Sequence, residues 1–200
     1  DKKGNYWIAT KGTGLIKMTP NGKGGYNYKR YRKGNNYSLN DDNTYCSIED
    51  NEGNIWVATY GGGVNVITKD RNGTEIVVNC NNMMKHYPAN ELKKVRTLAR
   101  DKKGRVWAGT TDGVIILSLK NHNIKMLPVE DTKDAEKNMN SKDIITLKCD
   151  RKGTMWIGTN GGGLSKCLNT NADSDFQFET YGNADGLPSE EIKSITFDAK

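Results

Sequence analysis

The chain has 200 residues, of which 34% are apolar, 22 are glycine, and the formal net charge is +6; a chain of this length can bury roughly 70% of its unfolded surface. No apolar run approaches the ~18 residues of a membrane-spanning helix. Lys and Arg are scattered, and their tightest pairs (Lys2-Lys3, Lys102-Lys103, Arg151-Lys152) recur at equivalent turn positions, which reads as solvated turn tips and argues against nucleic-acid binding.

Along the chain one unit returns four times. It opens with Asp1, Gly4 and Trp7 and recurs as Asp50, Gly53, Trp56, as Asp101, Gly104, Trp107 and as Asp150, Gly153, Trp156, giving D-x-x-G-x-x-W-x-[AG]-T-x-x-G. Trp-to-Trp spacings of 49, 51 and 49 residues are the mark of a repeat architecture. In the second unit, TYCSI, NIWVAT, VNVITK and EIVVN read as short strands joined by DNEG, by GGG and by a variable region. No stretch shows a comparable helical period, so the class is all-β. In NYWIAT, NIWVAT, RVWAGT and TMWIGT consecutive residues are apolar, which requires both faces of this strand to be covered.

A β-propeller meets that requirement, because four-stranded blades pack face to face around an axis. The reading is about four blades of four antiparallel strands in one propeller segment spanning 1–200. The blades fall at 1–43 (lacking its first strand), 44–93, 94–141 and 142–190, with 191–200 as the first strand of a further blade. Trp7, Trp56, Trp107 and Trp156 are then the structural core between blades, and Ala9, Ala58, Gly109 and Gly158 let neighbours approach. The missing first strand leaves an edge that residues 192–198 could fill by closing a four-bladed ring; the alternative, and the favoured one, is an arc of a larger ring.

The glycine runs Gly12–Gly14, Gly61–Gly63 and Gly161–Gly163 are not followed by a helix or by Gly-Lys-Ser/Thr, so they read as strand-to-strand turns and not phosphate loops. The third copy, TTDGV, is a residue shorter. Leu98, Leu147 and Ile195 stand three residues before an Asp or at the matching place, whereas Ile48 stands two before Asp50. This predicts a shortened turn or bulge that keeps Ile48 inward. Cys46, Cys80, Cys149 and Cys167 have neither C-x-x-C nor metal-ligand spacing and read as small packing residues, with a disulfide as the alternative.

The segments GNIWVATYGGGV, YRKGNNYSLNDDN and YGNADGLPSEEIKSITFD resemble the regulator-propeller repeats of the periplasmic sensor region of Bacteroides-type hybrid two-component histidine kinases. The resemblance implies a fragment of a seven-bladed propeller, in a parent with a second propeller, a membrane helix and a kinase whose catalytic domain is absent here. It further implies a homodimeric parent, a periplasmic location for this segment, and sensing of a polysaccharide-derived oligosaccharide that controls glycan-utilisation genes.

Binding residues belong on the varied loops at the end carrying the glycine turns and the linkers between units. These loops contribute Lys11, Tyr60, Thr111, Asp112 and Asn160, and from the linkers Tyr31, Arg32, Tyr37, Asn40, His86, Tyr87, Asn140, Asn183 and Asp185. For a sugar, an aromatic face with planar donors selects Tyr60, Tyr37, Arg32, Asn160 and Lys11. No catalytic, metal or cofactor residues are predicted, since His86 and His122 are the only histidines and no Gly-x-Ser-x-Gly elbow occurs. A protein-interaction scaffold is the competing reading, and a propeller lyase or lactonase a more distant one.

Overall fold

The computed structural model describes residues 1–198. Asp1–Val95 form one compact unit and the chain from Arg96 a second. The first unit contains β1 (Tyr6–Ala9), β2 (Leu15–Pro20), β3 (Tyr26–Tyr31), β4 (Thr44–Glu49), β5 (Ile55–Thr59), β6 (Gly63–Lys69) and β7 (Glu75–Val78). They make a three-stranded sheet, β1-β2-β3, and a four-stranded sheet, β4-β5-β6-β7. From there follow β8 (Val95–Arg100), β9 (Val106–Thr110), β10 (Gly113–Lys120), β11 (Asn123–Pro128), β12 (Ile144–Cys149), β13 (Met155–Thr159), β14 (Leu164–Cys167) and β15 (Phe178–Tyr181). These form two further four-stranded sheets, β8 to β11 and β12 to β15. Every pairing is an antiparallel neighbour-to-neighbour step, as in propeller blades. Residues 191–198 form no strand, although Ile192 N donates to Thr159 O at 2.9 Å; 199 and 200 lie outside the described residues.

In each unit one sheet lays its tryptophan face on the other face of the next sheet. Trp7, Ala9, Leu15 and Tyr31 pack with Ile55, Val57, Ile67 and Val77 in the first. Trp107, Val114 and Ile116 pack with Met155, Ile157, Cys167 and Phe178 in the second. Gly109 and Gly158 serve the close approach: a Cβ there would lie 2.5 Å from Ile144 Cγ2 of the next sheet and 2.8 Å from Ile192 Cγ2 respectively. What comes close in both is an isoleucine side chain, and not a neighbouring backbone.

Burial of the Trp strands is uneven. All five residues of β5 and of β9 are buried, but in β1 Tyr6 and Ile8 are exposed. Trp56 and Trp107 are fully buried, whereas Trp7 and Trp156 are half-buried. The expectation that neither face meets water therefore fails at β1, where no sheet of the unit covers the Tyr6 face.

The register also corrects the reading of Ile48. Bulges lie between Thr44 and Cys46 and, equally, between Ile144 and Thr146. Beyond them Ser47 pairs with Val57 as Leu147 pairs with Ile157, and Ile48 with Trp56 as Lys148 with Trp156. The second copy is not a residue shorter. Because side chains alternate along a strand, Ile48 stands on the tryptophan face and a serine takes the place of Leu147. No disulfide joins the cysteines among the described residues.

Candidate functional site

The repeat's polar positions form the frame on which the loops sit. In all four copies the Asp closes its turn through a bond from the Gly three residues on, as Gly53 N to Asp50 O at 3.4 Å and Gly153 N to Asp150 O at 3.1 Å. Its carboxylate accepts the backbone N–H of the residue four on, at 2.8 Å from Asn5, 3.0 Å from Asn54, 2.9 Å from Arg105 and 2.8 Å from Thr154. The second oxygen accepts the tryptophan indole N–H, at 2.8 Å for Trp7 and Trp56 and 3.0 Å for Trp107 and Trp156. The Asp is thus a clamp on the Trp as well as a turn residue, which sequence reasoning missed although the six-residue spacing was its signal. At Asp150, burial would raise the carboxyl, but the Trp156 indole and the backbone N–H groups of Thr154, Gly153 and Lys152 outweigh it and hold the group below the usual carboxylate range.

At the opposite end of each sheet the Thr three residues after Trp donates to the carbonyl of the turn's last glycine, from 2.6 Å (Thr10 to Gly14) to 2.9 Å. The glycine turns do form N–H cradles, but the chain fills them itself. Gly12 and Gly14 donate to Asp42 O, Gly61 and Gly63 to Lys93 O, and Gly161 and Gly163 to Glu190 O, at 2.8–3.1 Å. A side chain at Gly14 or Gly163 is excluded, because Cβ would fall 2.0 Å from Tyr31 O or 2.1 Å from Tyr181 O with φ at +81° and +74°. The linkers are therefore bolted to the turns, and the loop residues are held on a stiff base.

On this base Tyr60 stacks on Tyr45, ring centroids 5.1 Å apart and planes 20° apart. Lys94 Nζ lies 5.8 Å from the Tyr60 centroid. Tyr60 is fixed by its N–H on Asn43 O at 2.9 Å and by a bridge to Lys94. Tyr45 sits inside the β4 bulge, which leaves it 51% exposed on a strand that is otherwise mostly covered. Sequence reading took TYCSI as an ordinary strand and missed both Tyr45 and Lys94; the odd offset of Ile48 was the one hint of irregularity there.

Arg32 is tied to this corner as well, since its Nη2 lies 3.6 Å from Asp42 Oδ2 while Lys33 N donates to Asp42 Oδ1 at 2.7 Å. Lys11 is exposed in the turn whose glycines hold Asp42. Tyr37, in the left-handed region at φ 65° and half exposed, lines with Arg32 a cavity of about 180 Å³ between β3 and β7. On its floor Glu75 accepts from Lys29 Nζ at 2.5 Å and from the buried Tyr31 hydroxyl at 2.8 Å. Burial opposes the Glu75 charge, yet these two bonds hold its carboxyl low, and burial with the Glu75 contact pushes the Tyr31 phenol up.

Asn160 lies in the second unit and is engaged: its Nδ2 donates to Asp143 Oδ2 at 2.9 Å, and Asp143 pairs with Arg96. Asn40 and Tyr87 turn inward, Asn40 Nδ2 to Gly62 O at 2.6 Å and the Tyr87 hydroxyl to Leu92 O at 2.6 Å. Among the candidates, then, Lys11, Arg32 and Tyr60 gather around residues 41–43, Tyr37 joins Arg32 at the cavity, and Asn160 belongs to a separate network. His86 and His122 are both exposed, and no group of three metal-ligating side chains occurs among the described residues.

Comparison with known proteins follows the same frame. The family model of the two-component regulator propeller matches residues 38–61, 92–112 and 138–161, each running from the linker through the inner strand and Asp turn to the Trp strand. No curated protein matches the chain. Among solved structures it is similar to the extracellular domain of a hybrid two-component system from B. thetaiotaomicron, at 26% identity and TM-score 0.66, over 96% of this chain and 23% of that one. It is also similar to PorZ of the Porphyromonas gingivalis type-IX secretion system, at 16% identity and TM-score 0.63, over 97% and 28%. Virginiamycin B lyase from Staphylococcus aureus follows at 13% identity and TM-score 0.60, over 94% and 56%. The last two show a shared fold alone.

Proposed function

We propose that the chain, three stretches of which match the two-component regulator propeller model, is a non-catalytic, ligand-sensing segment of the extracytoplasmic region of a hybrid two-component sensor kinase, as its similarity to such a domain supports. The chain spans 23% of its similar sensor domain, so kinase signalling, a second propeller and a dimeric parent are part of the proposal. The described residues contain no helix long and apolar enough to cross a membrane. The ligand is an oligosaccharide of polysaccharide origin, and the observation that carries this is the Tyr45–Tyr60 stack, with Tyr45 exposed and Lys94 over the Tyr60 ring. A flat aromatic face takes the apolar face of a pyranose, and Lys94, Arg32 and Lys11 offer donors to its hydroxyls. Binding there is read out as a change in the balance of sensor states only if the ligand favours one of them.

The test is thermal unfolding of the chain against a panel of oligosaccharides. A binding sugar stabilises by about 2.7 kcal/mol at a hundred times its Kd, and Tyr60→Ala abolishes the shift while leaving the unliganded melting point in place. A sugar shift that survives Tyr60→Ala sinks the platform, and no shift with any sugar favours the scaffold reading, to which the exposed tyrosines of the first sheet lend support.

A further inference from the structure

In the third copy the repeat departs from its own polar pattern at one corner. The residue two before the Trp is Asn5 in the first copy and Asn54 in the second, and each makes the same two bonds. Its Nδ2 donates to the turn aspartate at 2.8 Å, and its Oδ1 accepts the hydroxyl of Thr19 or Thr68 at 2.7 Å. Cross-strand register puts Ser118 where those threonines stand, two residues beyond the partner of the Trp. The asparagine, however, is replaced by Arg105, and a guanidinium accepts nothing. Opposite Ser118 stands Lys125, where Asn27 and Ile76 face the two threonines.

Arg105 turns elsewhere. Its Nε donates to Asp101 Oδ2 at 2.7 Å, its Nη1 to Ala172 O at 2.6 Å and Asp173 Oδ1 at 3.0 Å, and its Nη2 to Thr170 O. Beside it a cavity of about 400 Å³ opens, lined by Arg105, Ser118, Lys125 and Asp173 with Ile116 and Leu127. Its walls are the third sheet and the loop between β14 and β15 of the fourth, two sheets that pack on each other within the second unit. Ile116 is buried and Leu127 half-buried. Among the described residues neither the half-buried Ser118 hydroxyl nor the Lys125 ammonium has a hydrogen-bond or ion-pair partner.

We infer that this cavity binds a small organic acid, whose carboxylate takes the Lys125 ammonium and the Ser118 hydroxyl and whose apolar ring lies on Ile116 and Leu127. The volume falls in the range of small-molecule sites, roughly 300–1,000 Å³. An ammonium and a hydroxyl on paired residues offer two donors to one carboxylate, the first of them charge-assisted. Arg105 already has the Asp101 carboxylate and calls for no second acid, while Asp173 at the margin repels one, so a monocarboxylate fits. A hydroxylated ring would set its hydroxyls against Ile116 and Leu127 without partners, which disfavours a sugar acid. The Tyr45–Tyr60 platform belongs to the first unit, and this site does not depend on it.

Titration of the chain with cyclohexanecarboxylate, followed through backbone amide shifts by NMR, tests the site. The acid shifts the amides of Ser118, Lys125 and Leu127 saturably, with a Kd on the order of 1 mM for a ligand of this size. Lys125→Met keeps the stem of an exposed side chain and weakens binding by about tenfold or more, and Ser118→Ala weakens it by about fivefold. Cyclohexanemethanol, with the same ring and no charge, and glucuronate, with the charge on a hydroxylated ring, each bind at least about tenfold more weakly than the acid. No saturable shift with cyclohexanecarboxylate overturns the inference. Equal binding by Lys125→Met, or by either comparison ligand, overturns it as well, since the ammonium or the apolar floor would then select nothing.

Discussion

Trp56 and Trp107 on one side, and Trp7 and Trp156 on the other, share a clamp and differ in burial. All four indoles donate to an aspartate six residues earlier at 2.8–3.0 Å, so the clamp is local and forms from the repeat's own residues. Burial is not local. The cross-strand partner of the indole is Val66 or Ile116 where the Trp is fully covered, and Lys17 or Lys166 where it is half open. Lysine lays its stem on the ring and keeps its ammonium in water, which an apolar residue cannot do. One repeat motif thus serves a fully packed site and an open one, and the residue opposite the Trp differs between them.

The largest effect expected is on that division. Truncating Trp56 or Trp107 to Ala costs about 3–5 kcal/mol, and the same change at Trp7 or Trp156 costs roughly half that, since part of each ring is already wet. Urea denaturation of the four variants measures this. Four equal losses would show that the clamp, and not burial, sets the role of each Trp.

Next comes the clamp itself. Asp101 is fully buried and holds both Trp107 Nε1 at 3.0 Å and Arg105 Nε at 2.7 Å, with the Arg105 side chain only 12% exposed. Asp101→Ala takes from the buried Arg105 guanidinium its buried carboxylate, leaving the exposed Asp173 at 3.0 Å and the carbonyl of Ala172, and leaves the Trp107 indole N–H unpaired; it is expected to cost about 3 kcal/mol. Asp1→Ala, at an exposed copy of the same clamp, costs within about 1 kcal/mol because water replaces what is lost. Equal losses at Asp1 and Asp101 would place the clamp's strength in the turn rather than in its surroundings.

These contrasts mark what could be read in the sequence. Period, class and sheet order were legible because the Asp, Gly and Trp positions repeat and apolar runs alternate with turn residues. The glycine turns were legible as turns, but not as cradles for Asp42 O, Lys93 O and Glu190 O, because a backbone carbonyl has no sequence signature. Tyr60 was legible as an aromatic on a varied loop; its partner Tyr45 was not, since only the bulge at Thr44/Cys46 turns it outward. Asn160 has the composition of a binding residue, yet Asp143 engages it, and pairings seventeen residues apart are set by the fold.

The smallest effect separates the open clamp from the buried one by pH. The Asp150 carboxyl is held below its ordinary value, by the Trp156 indole and three backbone N–H groups working against burial. A group with a depressed folded pKa stabilises the fold above its unfolded value, about 3.9 for Asp, and loses that contribution as pH falls through the lower folded value. Unfolding of the wild-type chain in urea should therefore become easier as pH drops below about 4, and Asp150→Asn should be less stable at neutral pH but show a flatter acid limb. Asparagine keeps the shape but puts an NH2 donor where one of the two accepting oxygens stood, so it removes the charge together with one of the bonds from Thr154 N–H and the Trp156 indole. An acid limb identical in the variant would mean that Asp150 carries its proton alike in the folded and unfolded chain, and that the half-open clamp is held by geometry with no contribution from its charge.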